Sequence, residues 1–306
     1  TWRPTNANGT FTGDSMPLKT AFARSINSVA VRLGQEMGIK RIIATAEAMG
    51  IKSPLDDAPS LALGSSDVTL LELTNAYCTI ANNGMHHEPV LVTRIVDKDG
   101  NEIYLDRSQA EQVIPYKSAF LVQQLLQGGL REPGGTSMSL WGYVANFRDT
   151  DFGGKTGTSN NHSDAWFECV SPNLVVGAWV GGEYRSIHFR TGALGQGSRT
   201  ALPITGYFLN AVLSDPAFKK YRAHFKKPEK GDNITADMYT CQSYYKAAKK
   251  DTLQNDSLET VSVEEVNLDA DGEPIAMPSG TENKSTEPKK KTEKKRKTEE
   301  VTFDDL

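Results

Sequence analysis

The chain has 306 residues, with 34 Lys and Arg against 38 Asp and Glu for a formal net charge of −4. That length supports one or two domains with a sizeable core, and that charge gives no global reason to expect nucleic acid as a partner. No apolar run is long enough to cross a membrane, no signal-peptide pattern opens the sequence, and three widely spaced cysteines (Cys78, Cys169 and Cys241) imply no disulfide framework.

In chain order, the first element is a helix over residues 15–38, where Leu18, Phe22, Ile26, Val29 and Leu33 recur at three- and four-residue steps. Ser25 and Asn27 lie inside it. The next helix starts at Thr69, which can cap it, with Glu72 three residues on to close a capping box. Leu73, Tyr77 and Ile80 continue one face, and Gly84 is the stop. Residues 90–96 and 102–105 flank Asp99-Gly100, a hairpin signal, and residues 118–126 form a short helix.

The pattern then changes. Residues 153–158, 165–170 and 174–180 read as short apolar strands, the last two joined by Ser171-Pro172-Asn173. Trp166 and Trp179 suit buried strand positions, with Asp164 holding the turn before Trp166. A helix over 199–213 closes this part. Helices before an antiparallel sheet and a helix packed after it define an α+β fold.

After Lys219 the branched apolar residues thin out and Lys, Glu, Asp, Ser and Thr dominate. We therefore expect a folded domain over 1–218 and a polar, charged, disordered tail over 219–306. The run Pro288-Lys-Lys-Lys-Thr-Glu-Lys-Lys-Arg-Lys297 reads as part of that solvated tail; a nucleic-acid or localisation patch is the sharper alternative. Cys78 and Cys169 read as small apolar residues within a helix and a strand, against a catalytic thiol as the alternative. His86-His87 reads as an exposed loop pair; neither a metal nor a cofactor is expected.

Chemistry concentrates at Gly153-Gly-Lys-Thr-Gly-Thr158, a strand with a cationic, hydroxyl-rich edge. A lone Lys-Thr-Gly is uninformative, and Lys155 could be a solvated lysine that protects an edge strand. Ser25 and Asn27 could likewise be a helix-start pair with satisfied hydrogen bonds. Three further blocks change the weighing. These are Ser25-Ile-Asn27 in its apolar setting; the approach Trp2-Arg-Pro, Gly9-Thr-Phe-Thr-Gly13 and Met16-Pro-Leu; and Leu61 to Tyr77 followed by Ala81-Asn-Asn-Gly84. Together, in this order, they resemble the transpeptidase domain of bifunctional (class A) penicillin-binding proteins, the 1A type in particular, over about two thirds of the chain.

The resemblance implies a serine β-lactamase/penicillin-binding transpeptidase-like fold, a helical subdomain plus an antiparallel sheet with flanking helices. It implies a peptidoglycan DD-transpeptidase acting on D-Ala-D-Ala stem peptides and binding β-lactams. Ser25, Asn27 and Lys155 would be catalytic, and Thr156, Gly157 and Thr158 would bind substrate. The family's nucleophile sits in a Ser-x-x-Lys motif ahead of Ser25. The one such motif here, Ser243-Tyr-Tyr-Lys246, has the wrong order and context. The expectation is a C-terminal piece of the domain, with the nucleophile, a glycosyltransferase domain and a membrane anchor in a missing N-terminal part. The parent would work on the extracytoplasmic (periplasmic) side of the bacterial membrane, alongside other cell-wall synthesis proteins. The alternatives are a β-lactamase or β-lactam sensor of the same fold, and a non-catalytic binding scaffold.

Overall fold

The computed structural model describes residues 4–11 and 13–255. The single helix expected over 15–38 is two: α1 (Leu18–Ala23), entered from Pro17, and α2 (Asn27–Met37). Between them Ser25 adopts φ +56°. The N–H groups of Ser25 and Ile26 turn back to Phe22 O and Ala21 O, each at 3.0 Å. Apolar spacing continues through the break, so periodicity alone does not register it.

Gly38, at φ +88°, ends α2 and opens α3 (Ile39–Ala48), which sequence reading missed. α4 (Leu70–Ala81) follows with the expected box: Thr69 Oγ1 accepts from Glu72 N–H at 3.2 Å, and Glu72 Oε2 accepts from Thr69 N–H at 3.1 Å. The Ser53 hydroxyl, with these bonds, draws the Glu72 carboxyl down to about 2. β1 (Met85–His86) pairs antiparallel with β4 (Glu111–Gln112), and β2 (Arg94–Val96) with β3 (Glu102–Leu105), as the hairpin signal implied. α5 (Tyr116–Arg131) is longer at both ends than the helix read over 118–126. α6 (Trp141–Val144) leads to the sheet β5 (Gly153–Thr158), β6 (Asp164–Val170) and β7 (Val175–Gly181), antiparallel in the order β5-β6-β7. α7 (Gly192–Gly195), α8 (Ala201–Ser214), α9 (Asp237–Thr240) and α10 (Gln242–Asn255) complete the elements.

Strand alternation sorts β6. Phe167 and Cys169 point to a cluster with Leu202, Leu209 and Leu213 of α8 and with Val144, Phe147 and Phe152. Val170 points the other way, to Ile80 of α4 and Leu126 of α5. Each such side chain, fully buried, contributes roughly 1.5–3 kcal/mol. This two-sided cover of an antiparallel sheet is the α+β arrangement expected.

Three expectations change. Trp166 is half-buried and Trp179 is 40% exposed; they face each other across β6 and β7 with ring centres 6.3 Å apart. The Trp179 indole N–H donates to Asp164 Oδ1 at 3.1 Å, a half-wet seat that an indole suits. Cys169 is buried as expected, but Cys78 is exposed. His86 is tucked in, its Nδ1 3.1 Å from Thr79 Oγ1, while His87 stays near the surface.

The composition change after Lys219 does not end the ordered chain. Phe225 is buried with Ile80, Leu126 and Val170, and its N–H donates to Asp151 Oδ2 at 3.0 Å. The Tyr239 ring meets Phe120 edge-on at 5.4 Å. A few aromatic anchors hold a segment whose average composition is polar. The basic run at 288–297 lies outside the described residues. No helix among the described residues is long and apolar enough to cross a membrane.

Candidate active site

β5 pairs with β6 alone among the described residues, so its outer edge is open. Lys155 stands on this strand. Its ammonium donates to Ser25 Oγ at 3.0 Å and to Thr156 O at 2.7 Å. Burial lowers the lysine to about 8. Ser25 meets it from the left-handed turn between α1 and α2. That backbone costs an ordinary residue roughly 1 kcal/mol, which the two return hydrogen bonds of the turn offset.

The loop after α5 bonds both to the Ser25 turn and to β5. Arg24 Nε donates to Pro133 O at 3.0 Å, and Thr136 N–H donates to Ala23 O at 3.0 Å. Thr156 Oγ1 lies 2.8 Å from Thr136 Oγ1. Thr136 and Arg24 were not foreseen. Pro133-Gly134-Gly135 is a turn signal in the sequence, but nothing local says which elements the turn connects. α5 approaches β5 so closely that a Cβ on Gly129 would sit 2.5 Å from Gly154 O.

The other sequence candidates divide. Gly157 packs beneath Trp166, where a Cβ would come within 3.1 Å of the Trp166 Cβ. Thr158 Oγ1 accepts from Gly197 N–H at 3.1 Å, in the loop that enters α8. Asn27 opens α2, two residues from Ser25, yet its amide donates to Thr5 O at 2.7 Å and not to Lys155 or Ser25. Ser243 caps nothing catalytic: its N–H donates to Asp237 Oδ1 at 2.7 Å at the start of α10. Among the described residues no group of three or more His, Cys, Asp or Glu could hold a metal ion.

Residues 2–165 match the family model described as "Penicillin binding protein transpeptidase domain". The chain belongs to that family. It is 32% identical over 263 residues to penicillin-binding protein 1A of Rickettsia typhi, covering 78% of this chain and 32% of that protein. Penicillin-binding protein 2D of Bacillus subtilis is 33% identical over 188 residues, covering 59% of this chain and 26% of the relative. The chain thus spans about a quarter to a third of the length of these two relatives. Among solved structures, penicillin-binding protein 1A from Haemophilus influenzae superposes with a TM-score of 0.64 at 25% identity, over 75% of this chain and 38% of that one. PonA1 of Mycobacterium tuberculosis, in complex with penicillin V, gives 0.60 at 21% identity, over 76% and 64% of the two chains, and supports the fold.

Proposed function

We propose that this chain supplies the Ser25 and Lys155 walls of the cleft of a peptidoglycan DD-transpeptidase, with D-Ala-D-Ala stem peptides and β-lactams as its ligands. The observation that carries this reading is the Lys155 ammonium on Ser25 Oγ at 3.0 Å beside the open edge of β5. A serine attacks the penultimate carbonyl. A C–O bond forms, the peptide C–N bond breaks, and the serine proton ends on the departing D-Ala nitrogen. An amine on another strand then attacks the ester: a new C–N bond forms, the serine C–O bond breaks, and the amine's proton returns to the serine oxygen.

Lys155 anchors the terminal carboxylate and supplies a positive field in a poorly hydrated cleft. Thr156 and Thr158 add hydroxyls to that carboxylate. Gly157 leaves room for the substrate to lie along β5 as an added strand, and the N–H of Thr158 donates to the oxyanion. Ser25 relays the proton. Asn27 holds the substrate amide once its own amide leaves Thr5 O. In this reading the acylated serine and its base lysine come from a segment outside this sequence. So do a glycosyltransferase domain and a membrane anchor that holds the cleft on the extracytoplasmic side.

Labelled penicillin, applied to the protein extended upstream of Thr1, tests this. Lys155→Ala should slow acylation by at least ~10²-fold, the range for lost electrostatic stabilisation. A near-normal rate would show that the cleft is elsewhere. An adduct mapped to a serine of the 306-residue chain, Ser243 included, would sink the proposal of an outside nucleophile.

A further inference from the structure

We infer that residues 225–246 form a strap that positions the Ser25 wall, with Glu132 and Tyr245 as its clasp; the importance of that wall rests on the transpeptidase reading. The strap starts at buried Phe225 and crosses α5, where Lys117 Nζ donates to Asn233 O at 2.9 Å and Tyr239 stacks edge-on against Phe120. It then reaches α1. Lys19 Nζ donates to Tyr239 O at 3.4 Å, and the Tyr244 hydroxyl donates to Ser15 O. Within Ser243-Tyr-Tyr-Lys246, which the reaction does not use, Tyr245 OH lies 3.3 Å from Thr20 Oγ1 of α1, while Tyr244 holds the residue three positions before that helix.

Glu132 gathers the clasp. Its Oε1 lies 3.5 Å from Lys19 Nζ, with side chains only 15% and 20% exposed. Its Oε2 accepts from Thr20 Oγ1 at 3.2 Å and from the Tyr245 hydroxyl at 3.4 Å. α1 has six residues and no side-chain cap. A helix that short does not hold itself together, so its place is set by what grips it. Its end is two residues from Ser25. Glu132 also begins the loop that carries Pro133 O to Arg24 and Thr136 to both Ala23 and Thr156. One carboxylate therefore connects strap, helix and loop. Glu132 and Tyr245 touch none of the reacting groups, so they are positioning residues.

The test compares the 306-residue chain with its Tyr245→Phe and Glu132→Gln variants by hydrogen exchange and by NMR titration of Lys155, assigned through Lys155→Met. Tyr245→Phe removes one hydroxyl and leaves the core intact, so it should fold. We expect amides of residues 15–26 to exchange at least about fivefold faster in both variants while β5 to β7 keep their protection. The Lys155 midpoint, near 8 in the parent chain, should move up toward the ordinary lysine value as the wall loosens and water enters. Unchanged exchange over residues 15–26, or equal acceleration throughout the sheet, would overturn the strap. Faster exchange with a fixed Lys155 midpoint would overturn its positioning role. Penicillin is absent from the experiment, so failure of the transpeptidase reading and failure of the strap are read separately.

Discussion

Lys155 and Ser25, 130 positions apart, meet at 3.0 Å, and the lysine that makes this contact is held at about 8 by burial. The folded-state value lies below that of the unfolded chain, so the ammonium dominates below pH 8 and is lost as pH rises through it. Anchoring of a carboxylate by Lys155 should therefore have a descending limb near pH 8. Acylation by benzylpenicillin, followed against pH in the upstream-extended protein, should show it. Lys155→Arg should move that limb to much higher pH, and a limb that stays near 8 in this variant belongs to another group.

The turn at Ser25 separates backbone cost from side-chain role. Ser25→Gly removes the strain of φ +56° and the hydroxyl together, whereas Ser25→Ala removes the hydroxyl alone. The glycine variant should be about as stable as the parent or up to ~1 kcal/mol more so, and the alanine variant no more stable. Both should acylate slowly. Thermal melts beside labelled-penicillin kinetics check the pair, and normal kinetics in the glycine variant would remove Ser25 from the proton path.

Glu168 was not singled out in the sequence. It is 2% exposed, on the α4 side of β6, with Oε1 accepting from Thr74 Oγ1 at 3.2 Å and Oε2 without a partner among the described residues. Burial drives its carboxyl up to about 8; burial likewise pushes the nearby Tyr77, Cys78 and Cys169 up, with the Glu168 charge adding to it. A raised acid favours folding fully below its unfolded value, near 4.5, and loses that contribution as pH climbs to about 8. Glu168→Gln should match the parent at pH 4.5 and exceed it by a few kcal/mol at pH 9, with roughly 5 kcal/mol as a ceiling. Urea unfolding at the two pH values decides, and an equal gain at both would mean that the carboxyl is hydrated.

Two helix glycines make a matched test of packing. At Gly129 a Cβ would press on a main-chain oxygen of β5, while at Gly142 it would meet nothing within 4 Å. Gly129→Ala should cost about 1–3 kcal/mol or more, since backbone cannot rotate aside. Gly142→Ala should gain up to ~1 kcal/mol from helix propensity. Thermal melts of both variants suffice, and a neutral Gly129→Ala would show that α5 sits further from the strand.

β7 has one strand partner among the described residues, Trp179 is 40% exposed, and α8 shows Ile204, Tyr207 and Phe208 at the surface. An open edge beside apolar surface invites association. Sedimentation of the chain should show self-association that grows with concentration and recedes in the upstream-extended protein. A sharp monomer across the micromolar range would contradict this.

The strands β5 and β6 and the start of α4 were legible because their signals are local. Gly-Gly before Lys155, the capping box at Thr69 and the short apolar run of β6 each depend on neighbours in sequence. What escaped depends on distant contacts. The break at Ser25 interrupts no apolar spacing, Glu168 is unusual only because α4 covers it, and Thr136 matters only because Ala23 and Thr156 flank it. The boundary drawn after residue 218 averaged away Phe225, Tyr239, Tyr244 and Tyr245, four aromatic rings in a polar stretch.

The grip on α1 also sets an order of events. Its partners lie 220 residues away at Tyr239 and 229 away at Tyr244. Contacts that close such long loops form late, after local helices and the β5–β7 meander have condensed. A ribosome making this chain would release α1 early and Tyr245 more than two hundred residues afterwards. The turn bearing Ser25 would wait through that interval for the contacts that hold α1.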